Sequence, residues 1–317
     1  MCKSKKLCAF FIHFESCSKN PYLWLPMNQG HIPSRESVFR QAEAYRRQGD
    51  VYMALKLHKK LAREEPGWGE PLEALCKIYV SIRDWKAALH YSERAIHCAE
   101  EPRSDVLRCQ GIAATALRRW RIARQAWNQL GFNFRETDEE LKLDMGAVCL
   151  RWKLDAKRQA VLWARLIDPA RAEVLSVPTP GCGVNFRDIL LIDSAPIGYR
   201  VAGKKRIPVY EALEPLKRNH YYSLELWLPD AGTKELDILA SLCKASGLGF
   251  DHWSGASWQL RGASAGSAAE YHHYSGESEP DSGPCQIGLA ARHPDQARKL
   301  LRQWELITLG DWLLLAP

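Results

Sequence analysis

The chain has 317 residues, 46% of them hydrophobic and 26% charged, with a formal net charge of +7. That length holds two domains, or a helical array plus one compact domain, each with its own core. No apolar run reaches the roughly 18 residues of a membrane-spanning helix. The modest charge, spread along the chain apart from clusters such as Arg118, Arg119, Arg121 and Arg124, does not point to nucleic acid.

Residues 1–30 are the least coherent part. Lys3, Lys5 and Lys6 precede the apolar stretch Leu7 to Phe14, which His13 interrupts. No small-residue cleavage site follows, and Glu15 and Ser16 before Cys17 make a poor lipoprotein context. The segment reads as a disordered leader, with Met27 as an alternative beginning. The ten cysteines are scattered, and no Cys-x-x-Cys pair occurs. Cys76, Cys98, Cys109, Cys149, Cys182, Cys243 and Cys285 therefore read as free thiols in a reducing, cytoplasmic setting rather than as metal ligands or disulfides. No cofactor is expected.

From residue 31 to 170 the chain repeats with a period of about 34 residues. Ala42, Tyr45, Ala54 and Leu61 return as Cys76, Tyr79, Ala88 and Ala95, and a third copy reads Gly111, Ala114, Ala123 and Leu130. In the first copy Ser34 suits an N-cap, and Val38, Ala42 and Tyr45 share one helical face. Gln48-Gly49-Asp50 makes the turn. A second helix carries Ala54, Leu57, His58 and Leu61 and stops at Pro66. Asp138 to Pro169 is expected to hold a degraded fourth unit, with Met145, Gly146 and Cys149 on its first helix and Ala160 to Ile167 on its second.

These residues resemble the tetratricopeptide repeat family, most closely in the first two copies. The resemblance implies an α-solenoid whose first helices line a groove for a protein or peptide, with Arg40, Tyr45, Lys77 and Arg108 as candidate groove residues. The two-carboxylate clamp of chaperone-binding members needs Lys, Asn and Arg, whereas Phe39, Glu43, Ala74 and Cys109 occupy the aligned positions. Chaperone-tail binding is therefore not expected.

Residues 171–217 read as a linker with a short β-meander. Its strands are Phe186 to Ile192, Ile197 to Val201 and Ile207 to Leu213, with turns at Ser194-Ala195-Pro196 and Ala202-Gly203-Lys204-Lys205. The segment from Asp168 to Ala172, with Gly198-Tyr199-Arg200 and Pro208-Val209-Tyr210, is similar to one that follows the repeats in some uncharacterised bacterial repeat proteins. Gly181-Cys182-Gly183 lacks the Gly-Lys-Ser/Thr continuation of a phosphate loop.

Residues 218–317 predict two strand-helix-strand units: strand Tyr221 to Leu228, helix Thr233 to Ser246 and strand Trp258 to Arg261, then strand Cys285 to Ala291, helix Pro294 to Trp304 and strand Trp312 to Leu315. That order fits a ferredoxin-like α+β domain. Between the units, Gly262 to Pro284 reads as a mobile loop. Its Glu270, His272, His273 and Glu279 have the chemistry of zinc ligands, but solvated side chains are the simpler reading.

The whole describes a multidomain α and α+β chain acting as a non-enzymatic interaction scaffold or adaptor. Two other readings fit: a regulator whose C-terminal domain senses a small molecule, and an immunity or effector-adaptor protein in bacterial competition. An enzyme would need Cys182, Asp193 and His220 to converge, and no spacing suggests that they do.

Overall fold

The computed structural model describes residues 34–155, 158–202, 205–253, 270–272 and 284–316. Three helical hairpins open it: α1 (Arg35–Arg47) with α2 (Val51–Glu64), α3 (Gly69–Ser81) with α4 (Trp85–His97), and α5 (Ser104–Ala116) with α6 (Trp120–Gln129). Side-chain caps start three of these helices. Ser34 accepts from Ser37 N at 3.2 Å, Asp50 from Met53 N at 3.0 Å and Asp84 from Ala87 N at 3.1 Å, each satisfying an orphan donor.

Each hairpin turns through one left-handed residue in register: Gly49 (φ 83°), Arg83 (φ 62°) and Arg118 (φ 57°). The small residues do what their spacing requires. Ala42, Ala54, Cys76, Ala88 and Ala114 are fully buried, where a larger side chain would drive the helices apart.

The fourth helical unit does not exist. Residues 147–153 and 159–168 are strands β1 (Ala147–Lys153) and β2 (Gln159–Asp168). Good helix formers fill Ala160 to Ile167, but its burial alternates, with Leu162, Ala164, Leu166 and Asp168 inward. Pairing with partners far along the chain overrides the local preference. The helical repeats thus end at Gln129, and the expected extent of 31–170 is corrected.

The meander is larger than expected. β3 (Arg171–Val174), β4 (Ile189–Ala202) and β5 (Lys205–Lys217) join β1 and β2 in the order β3-β2-β1-β5-β4, and β3 also pairs with β4. The five strands therefore close into a small barrel. In a closed meander of odd count one pair must run parallel, and here it is β1 with β5, Cys149 opposite Val209. Val148, Leu150, Leu162, Leu166, Val174, Leu190 and Ile192 are among the residues filling the interior.

The two expected strands Phe186 to Ile192 and Ile197 to Val201 are one element, β4. The expected turn at Ser194-Ala195-Pro196 is an irregularity within it, where pairing with β5 shifts and Asp193 accepts from Ala195 N at 3.0 Å. A bulge tolerates the missing N–H of Pro196.

The C-terminal unit is built from β6 (Tyr222–Leu228), α7 (Thr233–Ala245), β7 (Gly249–His252), β9 (Cys285–Ala291), α8 (Pro294–Thr308) and β10 (Leu313–Ala316). Its sheet is antiparallel in the order β10-β6-β9-β7. Leu224, Leu226, Leu239, Ile287, Leu300 and Trp304 belong to its core against the two helices. The strand after α7 lies at 249–252, and the expected strand at 258–261 lies outside the described residues. Between β7 and β9, β8 (Glu270–His272) pairs in parallel with β4 at the barrel edge. Among the described residues no helix is long and apolar enough to cross a membrane.

Candidate functional site

Of the four groove residues expected from sequence, the structure joins two. Lys77 Nζ on α3 lies 3.3 Å from Asp105 on α5, and the same carboxylate pairs with Arg108. Arg103 pairs with Glu73 at 3.2 Å. These side chains form a charged stripe across the first helices of hairpins two and three. Burial works to raise the Asp105 pKa, but the Lys77 hydrogen bond and the charges of Lys77, Arg108 and Arg103 hold it below the usual carboxylate range. Burial raises the Glu73 pKa against the pull of Arg103 and Lys77.

Arg40 and Tyr45 stand elsewhere. The repeat partners of Arg40 are Ala74 and Cys109, both buried, so its position in later repeats faces a preceding hairpin. The partner of Tyr45 is Tyr79, buried and stacked on Tyr91 at 5.4 Å. Arg40 and Tyr45 therefore mark the N-terminal face of the stack, where the first hairpin has no described predecessor.

The other end of the stack is capped. Ala170, Leu191, Leu213 and Leu216 of the barrel region join the apolar cluster of the hairpins. Trp85 Nε1 donates to Glu214 at 2.7 Å. Arg171, only 2% exposed, lies over the Trp120 ring at 4.6 Å and bonds Asp168 at 2.6 Å, Glu140 and the Leu141 carbonyl. The barrel occupies the place expected for a fourth hairpin and leaves Lys77, Asp105 and Arg108 partly exposed.

A cavity of about 190 Å³ lies where the barrel meets the C-terminal sheet, lined by Leu154, Leu162, Ser176, Pro178, Cys182, Asp251 and Trp253 among others. Trp253 Nε1 donates to the Val177 carbonyl at 3.0 Å, and Val177 N donates to Asp251 at 3.2 Å. Burial pushes the Asp251 carboxyl up to about 6. The Ser176 hydroxyl is buried and has no hydrogen-bond partner.

Burial also pushes the Cys182 thiol up to about 11, so it is no activated nucleophile. Asp193 is engaged in the β4 bulge and His220 is exposed, so no hydrogen bond among the described residues unites the three groups. The cavity draws on three chain segments, and no local motif announces it. His273 and Glu279 lie outside the described residues, and only the backbone of Glu270 and His272 is described. Among the described residues no cluster of three metal-ligating side chains occurs.

No protein-family model and no curated protein matches the chain. Among solved structures, the second TPR of Spaghetti (RPAP3) bound to the HSP90 peptide SRMEEVD is similar at 16% identity, covering 30% of this chain and 88% of that one, with a TM-score of 0.29. The TPR2B domain of yeast Sti1 in complex with pHsp70 is similar at 13% identity, covering 30% and 75%, with a TM-score of 0.28. A hypothetical protein from Neisseria gonorrhoeae is similar at 8% identity, covering 55% and 94%, with a TM-score of 0.24. These likenesses are distant, and the TPR-like character of the hairpins rests on their own 34-residue register.

Proposed function

We propose that the protein is a protein-interaction adaptor of the tetratricopeptide type, holding a protein or peptide partner on the first-helix stripe. The observation that carries this reading is the Lys77–Asp105–Arg108 cluster, a partly exposed charged surface spanning two hairpins. Ion pairs that water still reaches contribute little to folding, so these groups are available to exchange partners. In this reading the protein acts in the cytoplasm and without catalysis of its own.

The test is affinity purification from the native host with wild type and with Lys77→Glu/Arg108→Glu. A partner recovered by wild type and lost by the variant supports the stripe. Equal recovery by both removes it. Within this reading, an immunity or effector-adaptor role requires that the recovered partner be a toxin or secretion component.

A second reading is favoured by the cavity at the joint. With its apolar wall, a half-buried carboxyl and an unpartnered hydroxyl, it has the makeup of a small-molecule site. The C-terminal unit, which we assign to the ferredoxin-like layout on its strand order, would then act as a sensor. Thermal-shift screening against metabolites tests this, since a ligand binding only the folded state raises the midpoint. A response abolished by Ser176→Val supports it, and flat responses to amino acids and nucleotides remove it.

A further inference from the structure

The second helices of the first two hairpins enclose a basic cavity of about 320 Å³, lined by Lys56, Lys59, Ala62 and Arg63 of α2 and Tyr91 and Arg94 of α4. Lys56, Lys59 and Arg63 fall at i, i+3 and i+7 and so share one face of α2. Four cations thus meet in one concavity with no carboxylate in its wall.

The cavity is organised beneath its charges. Tyr79 and Tyr91 stack at 5.4 Å with their rings 2° from parallel. Lys59 sits over the Tyr79 ring at 5.4 Å and Arg94 over the Tyr91 ring at 5.8 Å. Arg94 also donates to the Ala62 carbonyl at 3.3 Å. Two of the four cations are therefore held in place by aromatic faces, while Lys56 and Arg63 are exposed. Like charges gathered this closely repel one another, and a multivalent anion relieves that repulsion.

We propose that this cavity is a binding site for a phosphate monoester dianion. A phosphate monoester carries about two negative charges and three acceptor oxygens, and several cations can share it. A single carboxylate balances only one of them. The arginine guanidinium groups suit phosphate oxygens in a bidentate manner, and the lysines act as point charges. The tyrosine stack is covered by its own cations, so it does not offer the bare ring on which a nucleic-acid base stacks. The site lies on the second helices and is independent of the first-helix stripe.

Titration calorimetry of the full chain at low salt, and again at higher salt, tests the assignment. The probes are inorganic phosphate, a phosphoserine peptide, the same peptide with glutamate in place of phosphoserine, and a uridine oligomer. Phosphate and the phosphopeptide are expected to bind, more weakly at high salt, and the glutamate peptide to bind at least tenfold more weakly than the phosphopeptide. Arg63→Glu and Lys56→Gln, both at exposed positions, should each weaken phosphopeptide binding, the charge reversal by roughly tenfold or more.

Lys299→Glu, at an exposed position of α8, should leave phosphopeptide binding unchanged. A phosphopeptide much tighter than free phosphate identifies a modified protein segment as the source, and near-equal affinity identifies a small phosphate ester. Either result supports the site. No binding of any phosphate probe at millimolar concentration overturns it. So do affinities indifferent to Arg63→Glu in a variant with native circular dichroism, or tighter binding of the uridine oligomer.

Discussion

Gly111 carries the tightest steric constraint in the hairpins. A Cβ added there would lie 2.4 Å from the buried Trp127 ring of α6, so the tryptophan fits only because position 111 has no side chain. Gly111→Ala should cost about 1–3 kcal/mol through overpacking, read as a lower urea midpoint. Adding Trp127→Leu should make the glycine substitution nearly neutral.

Arg83 and Arg118 carry the opposite kind of stress, being non-glycine residues at positive φ. Arg83→Gly or Arg118→Gly should stabilise by up to about 1 kcal/mol, because the left-handed penalty is removed. A lower midpoint for either would contradict that account.

Asp251 makes the stability depend on pH. Burial raises its pKa from 3.8 to about 6, so the folded state binds the proton more tightly than the unfolded chain does. The resulting stability is fully present below about pH 4 and is lost as pH rises through 6. At about 1.4 kcal/mol per unit, Asp251→Asn should raise stability near pH 7 by roughly 2–3 kcal/mol and flatten the profile between pH 4 and 6. Chemical denaturation across that range checks both.

At the scale of elements, the joint between hairpins and barrel hangs on Arg171. It is buried with Asp168 against Trp120. Arg171→Ala strands the Asp168 carboxylate without its cation and should cost about 3–5 kcal/mol. Asp168→Ala combined with Arg171→Met should recover much of that loss, since no charge is then left unpaired. Thermal midpoints of wild type and the two variants decide it.

The elements also divide by how far local sequence could announce them. The hairpins were legible because their signals are local: Ala42 to Ala54 and Cys76 to Ala88 lie within single repeats, and one period fixes the rest. α7, α8 and β9 were legible for the same reason. Ala160 to Ile167 carries a misleading local signal, because its Ala, Leu and Arg suit a helix and only pairing with β1 and β3 makes it a strand. Of the expected groove, the repeat alone does not separate Lys77 and Arg108, which Asp105 joins across two hairpins, from Arg40 and Tyr45, because that pairing forms only when the hairpins stack. The cavity at the joint has no local signal, because Leu154, Ser176 and Asp251 meet only in the folded chain.

At the scale of the whole molecule, the C-terminal unit is held to the barrel through a small cluster of Val177, Phe186, Trp253 and Ala290. Gly288 leaves room for the Trp253 ring, which lies 2.3 Å from where a Cβ would stand. Trp253→Ala should cost about 3–5 kcal/mol and uncouple the two parts. Calorimetry should then show two transitions in place of one, and an unsplit transition would place the coupling elsewhere.

The parallel pairing of β1 with β5 has a temporal consequence. The hairpins are complete by residue 129, but β1, although β2 follows it directly, cannot meet its parallel partner until β5 has left the ribosome, some 60 residues behind it. During synthesis the helical stack is therefore assembled first, while the strands that will seal its far end are still being made. For that interval the last hairpin has an open flank, and a nascent chain stalled there would be the form most exposed to mistaken partners.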